Sequence, residues 1–364
     1  MGAHGTPETW ISQVTRGPYR LSAAVMTHPK RLDAAIAIAR AVPRPEFQLV
    51  QDPQPHGPSG SLRTAVKAWS AADPSATHHL VVQDDALLCE DFERRLHRAL
   101  RAWDHGALAL NTTWNSWNGS LVTLGAVTGA AIMPALDEGW TPSVGLVMPV
   151  TVAREFAGYC ETQIHDLDLP DDAALCRFFT VAGVPTALSV PNLVEHAGRQ
   201  SLVGNGSQGS RRSACFLSDP PSTARSDAAI GRLPETIPHL HKGVAYCLVR
   251  QARPDMYARV HHGQWLAEQG LPAAGLRLLF GEDLSRLPAP SHPLLLDEEL
   301  SWAYWITAYL MGRLADPALA SPQVRREALA RLARGGLWPR ASESTLADAQ
   351  ESFADLGELA LVRE

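Results

Sequence analysis

The stretch His78-His79-Leu80-Val81-Val82-Gln83-Asp84-Asp85-Ala86-Leu87-Leu88 decides how the chain is read. An apolar run enters two adjacent carboxylates and then turns apolar again. An ionised carboxylate removed from water is costly without a partner, so a buried strand ending on paired acids implies a cation nearby. A divalent ion carrying a diphosphate is one such partner. Mg²⁺ and Mn²⁺ take oxygen ligands, commonly one or two carboxylates completed by substrate phosphates. The competing reading is a strand-to-turn junction whose acids are solvated.

Upstream, residues 20–26 read as a strand and Thr27-His28-Pro29-Lys30-Arg31 as the turn after it, with Pro29 suited to the first position of a helix. Leu32, Ala35, Ile36 and Ala39 supply that helix with an apolar face. Residues 47–50 form a second strand closing at Gln51-Asp52-Pro53. This βαβ order predicts a parallel sheet with a right-handed crossover. Residues 54–60 are too rich in Pro and Gly to be other than a loop, and Ser61 is placed to cap the helix that follows.

Downstream of the acid pair, Asp91 opens a helix with Phe92, Leu96, Leu100 and Trp103 on one side. A short strand at 108–110 leads to a polar, tryptophan-bearing loop at 111–120. Strand-like runs follow at 121–133 and 144–150. Pro170-Asp171-Asp172 starts a helix that stops near Gly183, residues 186–190 read as a strand, and Pro191-Asn192-Leu193-Val194-Glu195-His196-Ala197-Gly198 comes next. Residues 199–231 are rich in Gly, Ser and Arg and read as a flexible loop or linker. Beyond them the pattern is helical, including 243–251, 257–269 and 294–314. The expected organisation is a lead-in at 1–19, an α/β domain at 20–205, a linker at 206–231 and a helical domain at 232–364.

Composition limits the function classes. Hydrophobic residues make up 45% of the 364 and charged residues 19%, as in a folded globular protein. A formal charge of −6 gives no general attraction to nucleic acid or to an anionic membrane, so no nucleic-acid partner is expected. The five cysteines form no C-x-x-C pair, which speaks against structural zinc and fits reduced thiols in a cytoplasm. No stretch reaches the roughly 18 apolar residues of a membrane helix, so no transmembrane segment is expected.

With these residues laid out, positions 20–205 resemble a GT-A glycosyltransferase, a nucleotide-sugar-dependent family. Four features carry the resemblance: Thr27-His28-Pro29-x-Arg31, Asp52 at the end of the second strand, Val82-Gln83-Asp84-Asp85, and Pro191-x-Leu193-Val194-x-His196-x-Gly198. It implies an α/β fold with a GT-A-like (Rossmann-like), mixed or mostly parallel sheet flanked by helices, joined here to an all-α C-terminal region. It also implies a D-x-D-type motif that holds Mn²⁺ or Mg²⁺ against the donor diphosphate, with Asp85 a direct metal ligand and His196 completing the shell. Asp84 then touches the ribose or a metal-bound water. Gln83 stands where the family motif has its first acid, which leaves fewer ligands.

By the same resemblance Asp52 reads the base or ribose, and Thr27, His28 and Arg31 line the nucleotide end of the sheet. Arg63 and Lys67, one helical turn apart, either approach the diphosphate or are solvated. Asp171 and Asp172 match the place of the catalytic base in inverting members, though acids also suit any helix N-terminus.

The expected activity is sugar transfer from a nucleotide-diphosphate donor, UDP-sugar favoured, to a hydroxyl of a peptide, small natural product or glycan. The alternatives are a nucleotidyltransferase, disfavoured by the lack of glycines after the first strand, and a catalytically inactive nucleotide- or sugar-binding scaffold. Trp114 and Trp117 are either an acceptor platform or packing residues. The apolar run 294–314 makes a homodimer through the C-terminal helices an expectation.

Overall fold

The computed structural model describes residues 19–58, 60–198, 209–221, 229–252, 256–288, 291–314 and 319–363. Nearly all of the expected lead-in, parts of the expected linker, and Ser59 lie outside these. The chain divides into two compact units. The first comprises Met1–Asn111, Asp137–Ser189 and Leu193–Gln208, and the second Thr112–Leu136, Val190–Asn192 and Gly209–Glu364.

In chain order the first nine strands are β1 (Leu21–Thr27), β2 (Phe47–Gln51), β3 (His78–Gln83), β4 (Ala86–Leu88), β5 (Ala107–Ala109), β6 (Ile132–Pro134), β7 (Gly145–Pro149), β8 (Thr186–Ser189) and β9 (Val194–His196). The helices among them are α1 (Leu32–Ala41), α2 (Leu62–Ser70), α3 (Phe92–Ala102), α4 (Trp117–Thr128), α5 (Val150–Gln163) and α6 (Asp171–Ala182).

A seven-stranded sheet carries the first unit's strands in the adjacent order β2-β1-β3-β7-β5-β8. The pairs β1–β2, β1–β3 and β5–β8 are parallel, and β7 runs antiparallel to both of its neighbours. The parallel β1–β2 unit predicted by the βαβ order is therefore present, within the mixed, mostly parallel sheet that the resemblance implied. Leu80, Val81 and Val82 of β3 are all buried, the continuous apolar run of a central strand in a mostly parallel sheet. Helix α2 packs on α5 and α6, with Trp69 edge-on to Phe156 at 6.5 Å and Phe156 5.5 Å from Phe178.

In the second unit, α4 lies where the sequence suggested a strand at 121–133. Residues Asn118–Val127 are all buried, so the helix has no polar face and its period is hidden. Its ends carry the usual signals. The Ser116 hydroxyl accepts from Gly119 N at 2.8 Å, and Gly129 closes the helix at φ +73°.

The C-terminal region is helical, with α7 (His262–Glu268), α8 (Ala273–Ser285), α9 (Glu298–Arg313), α10 (Pro322–Leu337) and α11 (Glu343–Leu361). It is not all-α, however. β10 (Thr236–His241), β11 (Val244–Arg250) and β12 (Tyr257–His261) form an antiparallel sheet where a helix was expected at 243–251 and over the first part of 257–269, the rest of which is α7. The β10–β11 hairpin turns on Lys242 and Gly243, both at positive φ, as a two-residue turn of this hand requires.

Residues Leu300–Met311 of α9 are all buried in this unit. The apolar run that suggested a dimer contact is thus satisfied within the chain. At its centre the wholly buried Asp283 accepts from Trp305 Nε1 at 2.9 Å and pairs with Arg363. Among the described residues no helix is long and apolar enough to cross a membrane. All five cysteines are thiols, four of them buried.

Candidate functional site

The site lies at the C-terminal end of the parallel block β2-β1-β3. Three distant parts of the sequence meet there. β1 delivers the Thr27–Arg31 turn, and β3 delivers Asp84 and Asp85. The two-stranded ribbon β4–β9 brings His196 opposite Ala86, with Ala197 N donating to Asp85 O at 2.7 Å.

Asp84 is fully engaged by the β1 turn. Its Oδ2 accepts from Thr27 Oγ1 at 2.9 Å and from His28 N at 3.0 Å, and its Oδ1 from Arg31 Nη1 at 3.1 Å. The side chain expected to touch the ribose or a metal-bound water instead holds two strand ends together. His28 is used in the same way. Its Nδ1 accepts from Lys30 N at 3.1 Å, capping the short turn Pro29–Arg31, and so its Nε2 carries the proton that reaches Pro55 O at 3.1 Å.

Asp85 differs. Its Oδ2 meets Arg31 Nη1 at 3.0 Å and His196 Nε2 at 3.5 Å, while Oδ1 is buried without a hydrogen-bond partner. An orphaned carboxylate oxygen is an acceptor that lacks its positive charge or donor, and it fits the Mn²⁺ or Mg²⁺ the sequence suggested. The protein supplies no complete cage, since no three His, Cys, Asp or Glu side chains group to hold a metal among the described residues. One carboxylate completed by phosphate oxygens is a coordination these ions accept.

His196 fits the ion less directly. Gly198 N donates to its Nδ1 at 3.0 Å, which places the ring proton on Nε2, facing Asp85. In that tautomer His196 is a donor beside Asp85. Ligation through Nε2 requires moving the proton to Nδ1 and giving up the Gly198 contact.

A second cluster adjoins the first through the loop after β2. Arg63, buried, and Asp52, half-buried, form a two-pronged pair, with Nε to Oδ1 at 2.7 Å and Nη2 to Oδ2 at 2.8 Å. Arg63 also donates to Asp168 Oδ1 at 2.6 Å and to the carbonyls of Pro58 and Gln54. Burial works against the Asp52 charge, but the Arg63 hydrogen bonds outweigh it and hold the carboxyl below its usual range.

Arg63 is therefore a loop anchor, not a side chain directed at a diphosphate, and it covers both Asp52 oxygens. Lys67 sits exposed on α2. The N-terminal amides of α2 do not form a phosphate cradle either. Leu62 N and Arg63 N donate to the carbonyls of Leu169 and Leu167 at 3.1 and 3.2 Å.

The two expected base candidates part company. Asp171 is buried and takes the Ser61 hydroxyl at 2.5 Å, and its own N–H donates back to Ser61 Oγ at 3.0 Å. Ser61 thus caps α6 instead of α2, whose N-cap shows no side-chain bond. Burial pushes the Asp171 carboxyl above the usual range, against hydrogen bonds from Ser61 and Ser143. Asp171 is thus 5% exposed and already occupied by two hydroxyls. Asp172 is half-buried and is the reachable one of the pair.

Gln83, the departure from the family motif, donates to Ser143 Oγ at 3.2 Å. A polar chain Gln83–Ser143–Asp171–Ser61 therefore ties the acid pair's strand to the start of α6. Sequence reasoning missed Ser143 and Asp168. Asp168 had a signal, lying in the acid-rich run before Pro170 with a buried arginine in need of charge; Ser143 had none. Trp114 is buried in the second unit and packs against Gly335, whose position has no room for a Cβ beside the indole. It is a packing residue, not a platform.

No family model matches the chain. No curated protein matches it. Among solved structures the chain is similar to the inositol-1-phosphate CTP transferase from T. maritima, at 11% identity and a TM-score of 0.27. The match covers 47% of this chain and 66% of that one, so this chain spans less than two thirds of that protein's length. At that level the likeness leaves the activity to be argued from the residues themselves.

Proposed function

We propose that the protein is a nucleotide-dependent transferase of the GT-A kind, which moves a sugar from a nucleoside-diphosphate donor to an acceptor hydroxyl. The observation that supports this reading is Asp85. It is a buried carboxylate with one oxygen unsatisfied, set where three chain segments meet at the end of a parallel sheet, the place where open α/β sheets take nucleotides. A divalent ion on Asp85 would supply charge stabilisation for the departing diphosphate. Asp84, Thr27 and His28 fix the Asp85 backbone, and His196 and Arg31 orient its carboxylate. Asp172 is the residue assigned as base, since it is the accessible carboxylate at the α6 start.

A second reading is nucleotidyl transfer. It is favoured by the basic turn after β1, whose Arg31 reaches both acids. The two reactions leave different products. Incubation with UDP-, GDP- and ADP-sugars and Mn²⁺ releases nucleoside diphosphate under the first reading. Nucleoside triphosphates with sugar phosphates release pyrophosphate under the second. Release of neither, with nucleotide still bound, indicates a binding scaffold.

A further inference from the structure

We infer that Arg31 is a latch on the acid pair, holding both carboxylates while the site lacks nucleotide and yielding Asp85 when a divalent cation arrives with a diphosphate. The inference rests on the donor-site reading above. A single nitrogen, Arg31 Nη1, bridges Asp84 Oδ1 at 3.1 Å and Asp85 Oδ2 at 3.0 Å. The side chains of Arg31, Asp84 and Asp85 are 12%, 9% and 9% exposed, so water screens their charges weakly.

The two acids are held unequally. Asp84 keeps Thr27 Oγ1 and His28 N on Oδ2 whether or not Arg31 stays. Asp85 has Arg31 and His196 on Oδ2 and nothing on Oδ1. Arg31 leaving therefore frees Asp85 without loosening Asp84.

A guanidinium and a dication cannot share Asp85 without like-charge repulsion, so a cation alone has to displace Arg31 before it binds. A diphosphate changes that balance. It offers Arg31 a second anion that matches its planar fork, and it offers the cation oxygen ligands. The turn carrying Arg31 is pinned by the His28 cap, so the exchange needs rotation of a side chain and no backbone rearrangement. Cation and nucleotide then strengthen one another's binding by the same factor, as linkage requires.

The test is calorimetric titration of the full chain with Mn²⁺, with and without UDP or GDP, in wild type, Arg31→Gln and Arg31→Lys. In wild type, Mn²⁺ alone should bind about tenfold or more weakly than Mn²⁺ with nucleotide. Arg31→Gln should bind Mn²⁺ alone about tenfold more tightly than wild type and bind the nucleotide less well. Arg31→Lys, which keeps the charge, should stay near wild type for Mn²⁺ alone. A merely structural arginine would not produce a gain in cation affinity when removed.

Wild type binding Mn²⁺ equally with and without nucleotide overturns the latch with no recourse to a variant. So does an unchanged Mn²⁺-alone affinity in Arg31→Gln, although the donor site then stands. Absence of any nucleotide binding with Mn²⁺ in wild type overturns the donor-site reading, and the latch with it.

Discussion

Asp84 and Asp85 are neighbours in sequence with opposite situations. Asp84 accepts three hydrogen bonds over its two oxygens, from Thr27 Oγ1, His28 N and Arg31 Nη1. Its neighbour has an oxygen with none. Asp84→Ala should therefore act on stability, removing the shared acceptor of Thr27 Oγ1, His28 N and Arg31 Nη1 and lowering unfolding free energy by about 1–3 kcal/mol. Urea denaturation measures this, and an unchanged midpoint would contradict the strand-end role. His79 gives a second residue-scale prediction. It is wholly buried between Ser22 Oγ at 2.7 Å and Ala68 O at 2.9 Å, and burial pushes its pKa down to about 4. A folded-state pKa below the unfolded value of about 6.5 means the stabilising contribution is whole above pH 6.5 and is lost as pH falls toward 4. The loss amounts to roughly 3 kcal/mol at the bottom of that window. His79→Gln should lose less stability than wild type between pH 7 and pH 4.5 in urea melts; an equal loss would assign the acid sensitivity elsewhere. The acid pair and the Thr27–Arg31 turn were legible in the sequence because an apolar strand ending on charge is unusual. Which acid is saturated was not, because that depends on hydrogen bonds across more than fifty residues.

Elements were legible where their period was exposed. α1 and α2 follow the pattern of the sequence because their apolar residues recur at helical spacing, and β1 and β3 because each is a short, continuous buried run bounded by turn residues. α4 was hidden by burial on every side, and β10–β11 by its histidines and proline, although Lys242-Gly243 between two alternating runs was a hairpin signal. The Asp52–Arg63 pair shows a subtler limit. Both residues were singled out, but as separate ligands of a nucleotide; their mutual pairing depends on how the loop after β2 folds back over α2. That loop makes its own prediction. A Cβ on Gly60 would lie 2.2 Å from the Asp168 carbonyl oxygen, which is backbone and cannot rotate away. Gly60→Ala should displace the 166–170 segment and cost about 1–3 kcal/mol, read as a lowered thermal midpoint. A midpoint equal to wild type would show that the loop is not packed as described.

At the scale of the molecule, the sequence suggested an α/β domain followed by a helical one. The structure has two units of that general character, but the chain passes between them more than once, with Thr112–Leu136 and Val190–Asn192 counted in the second. A composition shift along the sequence reveals only a boundary crossed once, so an excursion carried by one wholly buried helix left no mark. The formal charge of −6 supplies no net attraction for polyanions, so anion recognition has to come from local groups of basic side chains. That site's central claim is that Asp85 supports a cation-dependent nucleotide complex. The most direct measurement is thermal-shift binding of UDP, GDP, ADP and CMP, each with Mn²⁺ and with EDTA, on wild type and Asp85→Ala. One nucleotide should stabilise wild type with Mn²⁺ by about 2.7 kcal/mol at 100 times its Kd, and the effect should vanish with EDTA or in Asp85→Ala. Stabilisation by no nucleotide, or one that survives in Asp85→Ala, would contradict the account.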